Sequence, residues 1–142
     1  MAKHHKGERV LVATDGSYQD GRIGYGVVIA QRALRGGYEI VCTMGGEFNM
    51  FPESRQIGGE VQAVLMGLAW CVQNDASPIT LIYDYKGVAE WAHGRWAGNK
   101  PVAQYYIAQI RSYEHLDIIW EWTPGHQGHP LNELADDLAR GA

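Results

Sequence analysis

The spacing of apolar positions changes once along this chain. In the first half, short apolar runs are broken by turn residues. Arg9 to Thr14 (RVLVAT) is rich in β-branched residues and ends at Asp15-Gly16-Ser17. Gly24 to Gln31 (GYGVVIAQ) follows a polar turn containing glycine, and Tyr38 to Met44 (YEIVCTM) follows Gly36-Gly37, a hairpin signal. Three strands joined by turns this short predict an antiparallel meander. From Gly59 to Asn74, however, Val61, Val64, Leu65, Leu68, Cys71 and Val72 recur at steps of three and four, the mark of an amphipathic helix. Ser77-Pro78 ends that stretch, and Ile79 to Tyr83 (ITLIY) reads as a fully apolar strand. A helical segment over Gly87 to Trp96 follows, then a helix opened by Pro101 and running to Tyr113. Asp117 to Trp122 (DIIWEW) predicts a fifth strand, closed by Thr123-Pro124-Gly125, and a last helix starts at Pro130 and runs to the end.

The predicted order is β-β-β-α-β-α-α-β-α. A meander followed by strand–helix crossovers implies an α/β fold with a five-stranded mixed sheet and helices packed on it. In such sheets, sites form at the carboxyl ends of strands. Two acids stand there: Asp15 after the first strand and Asp84 after the fourth. Glu60 lies in the first turn of the long helix behind Gly58-Gly59, and Asp136 lies on the last helix behind Asn132-Glu133. If strands one and four are neighbours, the two helical acids can reach the point where Asp15 and Asp84 lie side by side. Each acid also has a plain structural reading: a turn residue for Asp15, an acid favoured by the helix dipole for Glu60, a solvated helix face for Asp136. Those readings account for each residue singly and less easily for their joint placement. Converging carboxylates repel unless cations neutralise them. Ligation by oxygen alone, with room left for water and phosphate, suits Mg²⁺ or Mn²⁺. Two such ions about 3.5–4 Å apart activate a water and stabilise the leaving oxygen of an in-line phosphodiester displacement.

Composition alters this picture little. The 142 residues fit one domain, with residues 1–8, including His4 and His5, read as a disordered tail. Cys42 and Cys71 sit in apolar segments without Cys-x-x-Cys spacing and are expected as free thiols in a reducing cytoplasm. No apolar run is long enough to cross a bilayer, so the expectation is a soluble, cytoplasmic monomer without a membrane partner. The net charge of −4 counts against nucleic-acid binding. Bound cations reverse the sign where carboxylates gather, so the whole-chain charge does not decide the question. Trp91, Trp96, Trp120 and Trp122 are read as packing residues rather than base-stacking platforms.

Four blocks of sequence resemble one family. Thr14-Asp15-Gly16-Ser17 with Gly24-Tyr25-Gly26-Val27-Val28 resembles the opening hairpin of type 1 ribonucleases H. Gly59-Glu60-Val61-Gln62-Ala63 is similar to that family's glutamate-bearing helix start, and Tyr83-Asp84-Tyr85-Lys86-Gly87-Val88 with Trp91, Trp96 and Asn99-Lys100 to its aspartate segment. His126-Gln127-Gly128-His129 with Asn132-Glu133-Leu134-Ala135-Asp136 resembles its closing motif. The blocks stand in family order and span nearly the whole chain. Any one of them alone is a weak signal.

The resemblance implies a ribonuclease H-like fold and hydrolysis of the RNA strand of an RNA–DNA hybrid by two-metal phosphodiester cleavage. Asp15, Glu60, Asp84 and Asp136 would bind the ions, and His126 would assist proton transfer or product release. Substrate contacts would come from Gly16, Ser17, the turn of Gln56, Gly58 and Gly59, and Asn132. Lys86, Arg95 and Lys100 would supply positive charge. The long basic protrusion of many bacterial relatives is missing between Glu90 and Lys100, so hybrid binding is expected to be weak and salt-sensitive. Two other readings stay open: a DNA nuclease of the same fold, resolvase- or transposase-like, and an inactive nucleic-acid-binding module. The second would require the loss of one of the four acids, and none is lost.

Overall fold

A computed structural model describes residues 9–33, 35–124 and 129–141. The five strands are β1 (Val10–Gln19), β2 (Arg22–Arg32), β3 (Tyr38–Glu47), β4 (Ile79–Tyr83) and β5 (Ile118–Trp122). They form one sheet in the order β3-β2-β1-β4-β5. β1 and β3 pair antiparallel with β2, whereas β4 pairs parallel with both β1 and β5. The expected mixed sheet is therefore present, with the meander at one edge and the crossover strands at the other. The helices are α1 (Gln56–Gln73), α2 (Gly87–Ala92), α3 (Pro101–Ile110) and α4 (Pro130–Ala139). Among the described residues no helix is long and apolar enough to cross a membrane.

Strand periodicity divides the core. Val10 and Val12 of β1, Val27 and Ile29 of β2, and Ile79 and Leu81 of β4 face α1 and α3, where Val61, Val64, Leu68 and Tyr106 meet them. Alternate residues Leu11, Ala13, Val28, Ala30 and Ile82 face Leu131 and Ala135 of α4. Tyr106 is fully buried yet polar at its tip, and its hydroxyl donates to the Val88 carbonyl oxygen at 2.7 Å, which ties α3 to α2. Cys71 is buried and Cys42 half-buried, both free. Burial raises the Cys71 thiol to about 12, so it serves only as packing.

Several element ends differ from expectation, three of them close to the four acids or to Arg95. β1 does not stop at Thr14; it runs on to Gln19, with Asp15 opposite Gly26. The hairpin turn is Asp20-Gly21, both with positive φ (50° and 80°), which matches the twist of paired strands and leaves Asp15-Gly16-Ser17 inside the ladder. α1 starts at Gln56 rather than Gly59, so Glu60 is its fifth residue. α2 ends at Ala92 rather than Trp96, because Gly94 takes a left-handed conformation (φ 74°). The Arg95 and Gly94 amides then donate back to the carbonyls of Glu90 and Trp91 at 2.8 and 3.2 Å, closing the helix. α4 lies close on the hairpin because Gly26 has no side chain; a Cβ there would run into the Ala135 carbonyl oxygen.

Candidate active site

The parallel pairing of β1 with β4 ends at Ala13 and Ile82. Asp15 lies two residues further along β1, in mid-strand, and Asp84 directly follows β4, so both acids stand just beyond the point where the parallel pairing ends. Glu60 reaches them from α1, whose first turns press on β1 through two glycines. A Cβ on Gly16 would stand 2.6 Å from the Gln56 carbonyl oxygen, and one on Gly59 would strike the Gly24 carbonyl oxygen. Any side chain at either position would lift Glu60 away from Asp15.

One carboxylate oxygen from each of Asp15, Glu60 and Asp84 lies within 4.8 Å of the other two. Asp136 of α4 joins them in lining a cavity of about 360 Å³, together with Gly16, Gln56 and Tyr85. It stands at the rim, where Arg140 forms ion pairs at 3.0 Å with Asp136 and 2.8 Å with Asp137. Among the described residues Asp15 and Glu60 form no ion pair with a basic side chain. Asp15 and Glu60 are only 5% and 4% exposed. Burial, aided by the charge of Asp84, raises Asp15 from 3.8 to about 7, although bonds from Glu60 and the Gly16 amide pull it down. Burial also holds Glu60 well above the usual carboxylate range, with Asp15 and Asp84 adding repulsion. Glu60 Oε2 is buried without a hydrogen-bond partner. An orphaned carboxylate oxygen beside two further carboxylates is a cage short of positive charge, and an oxygen-only donor set fits a hard divalent cation.

The other candidate residues are dispersed. Gly16 and Gln56 line the acidic cavity, and Gln56 and Tyr85 also line a neighbouring cavity of about 620 Å³ that reaches Arg55 and Lys100. Gly58 is buried; a Cβ there would meet Ser54 and Phe48. Ser17 Oγ donates to the Ala139 carbonyl oxygen at 2.7 Å, and Asn132 Nδ2 to the Thr14 carbonyl oxygen at 3.1 Å; both are buried and bind α4 to β1. Arg95 grips Glu90 through three contacts of 2.8–3.2 Å. Lys86 Nζ lies 4.3 Å from the ring centre of Trp122. His126 lies outside the described residues.

Two tryptophans depart from the packing expectation: Trp96 and Trp122 are 42% and 45% exposed, while Trp91 is buried. Trp122 Nε1 donates to the Asp84 carbonyl oxygen at 2.8 Å, and the Thr123 amide donates to the Tyr83 carbonyl oxygen, also at 2.8 Å. The end of β5 thus holds the backbone that carries Asp84. No sequence pattern marks this contact, because it joins residues 38 apart. Tyr85 escaped notice for a similar reason: an apolar body next to Asp84 reads as packing until the cavity is seen.

Solved structures share this architecture. The N-terminal ribonuclease H domain of a Mycobacterium tuberculosis protein, solved as a fusion with maltose-binding protein, superposes with a TM-score of 0.75 at 22% identity, covering 94% of this chain and 98% of that one. The ribonuclease H1 of Halobacterium salinarum gives 0.70 at 24% identity, covering 94% and 96%. LC11 ribonuclease H1, solved with an RNA/DNA hybrid, gives 0.69 at 15% identity, covering 93% and 97%. At these identities the likeness establishes the fold, that of ribonuclease H domains.

Sequence likeness establishes more. Residues 7–142 match the RNase H family. The ribonuclease H of Zymomonas mobilis is 34% identical, over 94% of this chain and 87% of its own length. That of Saccharopolyspora erythraea is 33% identical, over 98% and 94%. The chain belongs to the ribonuclease H family.

Proposed function

We propose that the chain hydrolyses the RNA strand of RNA–DNA hybrids, with Asp15, Glu60, Asp84 and Asp136 holding two Mg²⁺ ions, or Mn²⁺ in their place. The observation that carries the reading is the group of three carboxylates, two buried and one half-buried, gathered where the parallel pairing of β1 with β4 ends. Bound ions supply Lewis acidity to a phosphodiester and lower the pKa of the attacking water. The chain's own part is to hold the carboxylates still. The Gly16 amide donates to Asp15 Oδ1 at 2.9 Å, so one of its oxygens is oriented before any ion arrives. Trp122 and Thr123 hold the backbone on either side of the β4 end. Arg140 keeps Asp136 on the rim, where it can turn between the guanidinium and an ion.

The groove that passes from the acids over Gln56 and Tyr85 to Arg55 and Lys100 supports the entry of an extended, anionic substrate. Gln56 both donates and accepts there, as contact with a 2′-hydroxyl requires. Gly16, half-buried on the cavity wall, leaves room for a sugar to come close, whereas Gly58 and Gly59 are buried against the protein itself and serve to seat α1. The neighbour solved with an RNA/DNA hybrid lends the substrate class. His126 remains the proposed group for proton transfer or product release, with neutral imidazole suited to that role near pH 7.

A labelled RNA–DNA hybrid tests the proposal. Cleavage of the RNA strand should require Mg²⁺ or Mn²⁺, stop in EDTA and exceed cleavage of duplex DNA. Asp84→Asn should abolish it and leave the fold and hybrid binding in place. Turnover near the wild-type rate by Asp84→Asn in saturating Mg²⁺ would remove Asp84 from the metal set.

A further inference from the structure

On the sheet face that carries α4, coverage is uneven. The helix packs on β1, β2 and β3, while Ile119 of β5 stays half exposed. Where α4 begins, a cavity of about 520 Å³ opens between the first residues of β1 and the last of β2. Leu11 and Ile82 on its wall stand four and two residues before Asp15 and Asp84, and no residue lines both this cavity and the acidic one.

Its charge is unlike that of the rest of the chain. Arg9 and Arg32 both line it, and among the described residues neither pairs with a carboxylate. Arg9 Nη1 is steadied by the Ile79 carbonyl oxygen at 3.3 Å and Thr80 Oγ1 at 3.2 Å. The Arg32 guanidinium lies 5.9 Å from the Tyr38 ring centre. In a protein of net charge −4, two arginines directed at one cavity without an acid partner invite an anion.

His129 provides an independent observation. It precedes the first residue of α4 and gives that helix no side-chain cap, and its Nδ1 is buried without a hydrogen-bond partner. The positive end of the helix dipole therefore lies at the cavity wall, where the half-buried His129 ring stands. The wall also carries planar and apolar surface. The Tyr38 and His129 rings are nearly parallel (24°) with centres 6.5 Å apart, and Leu11 and Ile82 complete the lining. Bare phosphate would leave that surface unused, and the volume falls in the range of small-molecule sites. Glu121 is the one carboxylate on the lining, able to accept from a ring amino group or a sugar hydroxyl.

We propose that this cavity binds a nucleoside monophosphate, with its phosphate between Arg9, Arg32 and the start of α4 and its base against Tyr38. The four ribonucleoside 5′-monophosphates, adenosine and inorganic phosphate, titrated calorimetrically into the full chain in EDTA, test it. At least one nucleotide should bind tenfold or more tightly than either adenosine or phosphate. Arg32→Ala should weaken that binding roughly tenfold or more, the worth of a charge-assisted bond. Arg32→Lys, which keeps the charge, should recover part of it, and circular dichroism should show both variants folded. Tyr38→Leu should reduce nucleotide binding while sparing phosphate. Asp84→Asn should bind as the parent does, and hybrid cleavage by Arg32→Ala should be unchanged. No nucleotide binding better than phosphate, binding indifferent to Arg32→Ala, or binding lost in Asp84→Asn would each overturn the proposal.

Discussion

Replacing Asp15 with asparagine removes a charge from the most crowded point of the molecule while keeping its shape. The aspartate is raised from 3.8 to about 7, first by burial and then by the nearby charge of Asp84. Between those two values the folded protein keeps a proton that the unfolded chain has released, so stability falls as pH rises through the window and levels off above it. Each pH unit in the window is worth about 1.4 kcal/mol, so the carboxylate costs the metal-free fold on the order of 4 kcal/mol above pH 7 at most. Asparagine is neutral at every pH and retains the oxygen that accepts from the Gly16 amide. It gives up the favourable bond with Glu60, which reduces the gain to roughly 2–3 kcal/mol. At roughly 3–4 °C per kcal/mol, Asp15→Asn should melt about 6–12 °C above the parent in EDTA at pH 8. The gap should close towards pH 4, the bottom of that window, where the folded carboxyl is protonated and the unfolded one no longer fully ionised. It should narrow at pH 8 in saturating Mg²⁺, which stabilises only a chain that binds it. Thermal unfolding followed by circular dichroism at the two pH values, with and without Mg²⁺, measures all three effects. An Asp15→Asn protein less stable than its parent at pH 8 in EDTA, or a gap that does not change with pH, would refute the reasoning.

Further outcomes follow from the same contacts. Gly59→Ala should destabilise by about 1–3 kcal/mol or more, since its Cβ meets β2 backbone, and should reduce cleavage even where folded, because Glu60 moves with it; urea unfolding and activity per folded molecule check this. Trp122→Phe keeps an aromatic ring beside Lys86 but removes the donor to the Asp84 carbonyl oxygen, a bond worth about 1 kcal/mol, and should weaken Mg²⁺ binding about fivefold by calorimetry, whereas unchanged affinity would make the contact incidental. For hybrid binding by an uncleaving Asp84→Asn protein, Lys100→Ala should flatten the plot of log K against log salt by about 0.9. Arg95→Ala should leave that slope nearly unchanged, since Glu90 already holds its charge.

The local pattern of the chain was enough for the element order and for singling out four acids by their positions. Apolar alternation and helical spacing are properties of neighbouring positions, so they are legible without a fold. The resemblance of four short blocks then supplied the substrate class. What lay beyond the sequence was whatever depends on residues far apart approaching one another. Asp15-Gly16-Ser17 looks like a turn, and only pairing with β2 keeps it in the strand. Arg95 looks like a free positive charge until the close of α2 folds it onto Glu90. Trp122 looks like core until the parallel register of β4 and β5 brings its ring nitrogen to the Asp84 carbonyl. The raised pKa values of Asp15 and Glu60 follow the same rule, because desolvation and charge repulsion are set by distance in space, and only packing α1 against β1 through Gly16 and Gly59 makes those distances short.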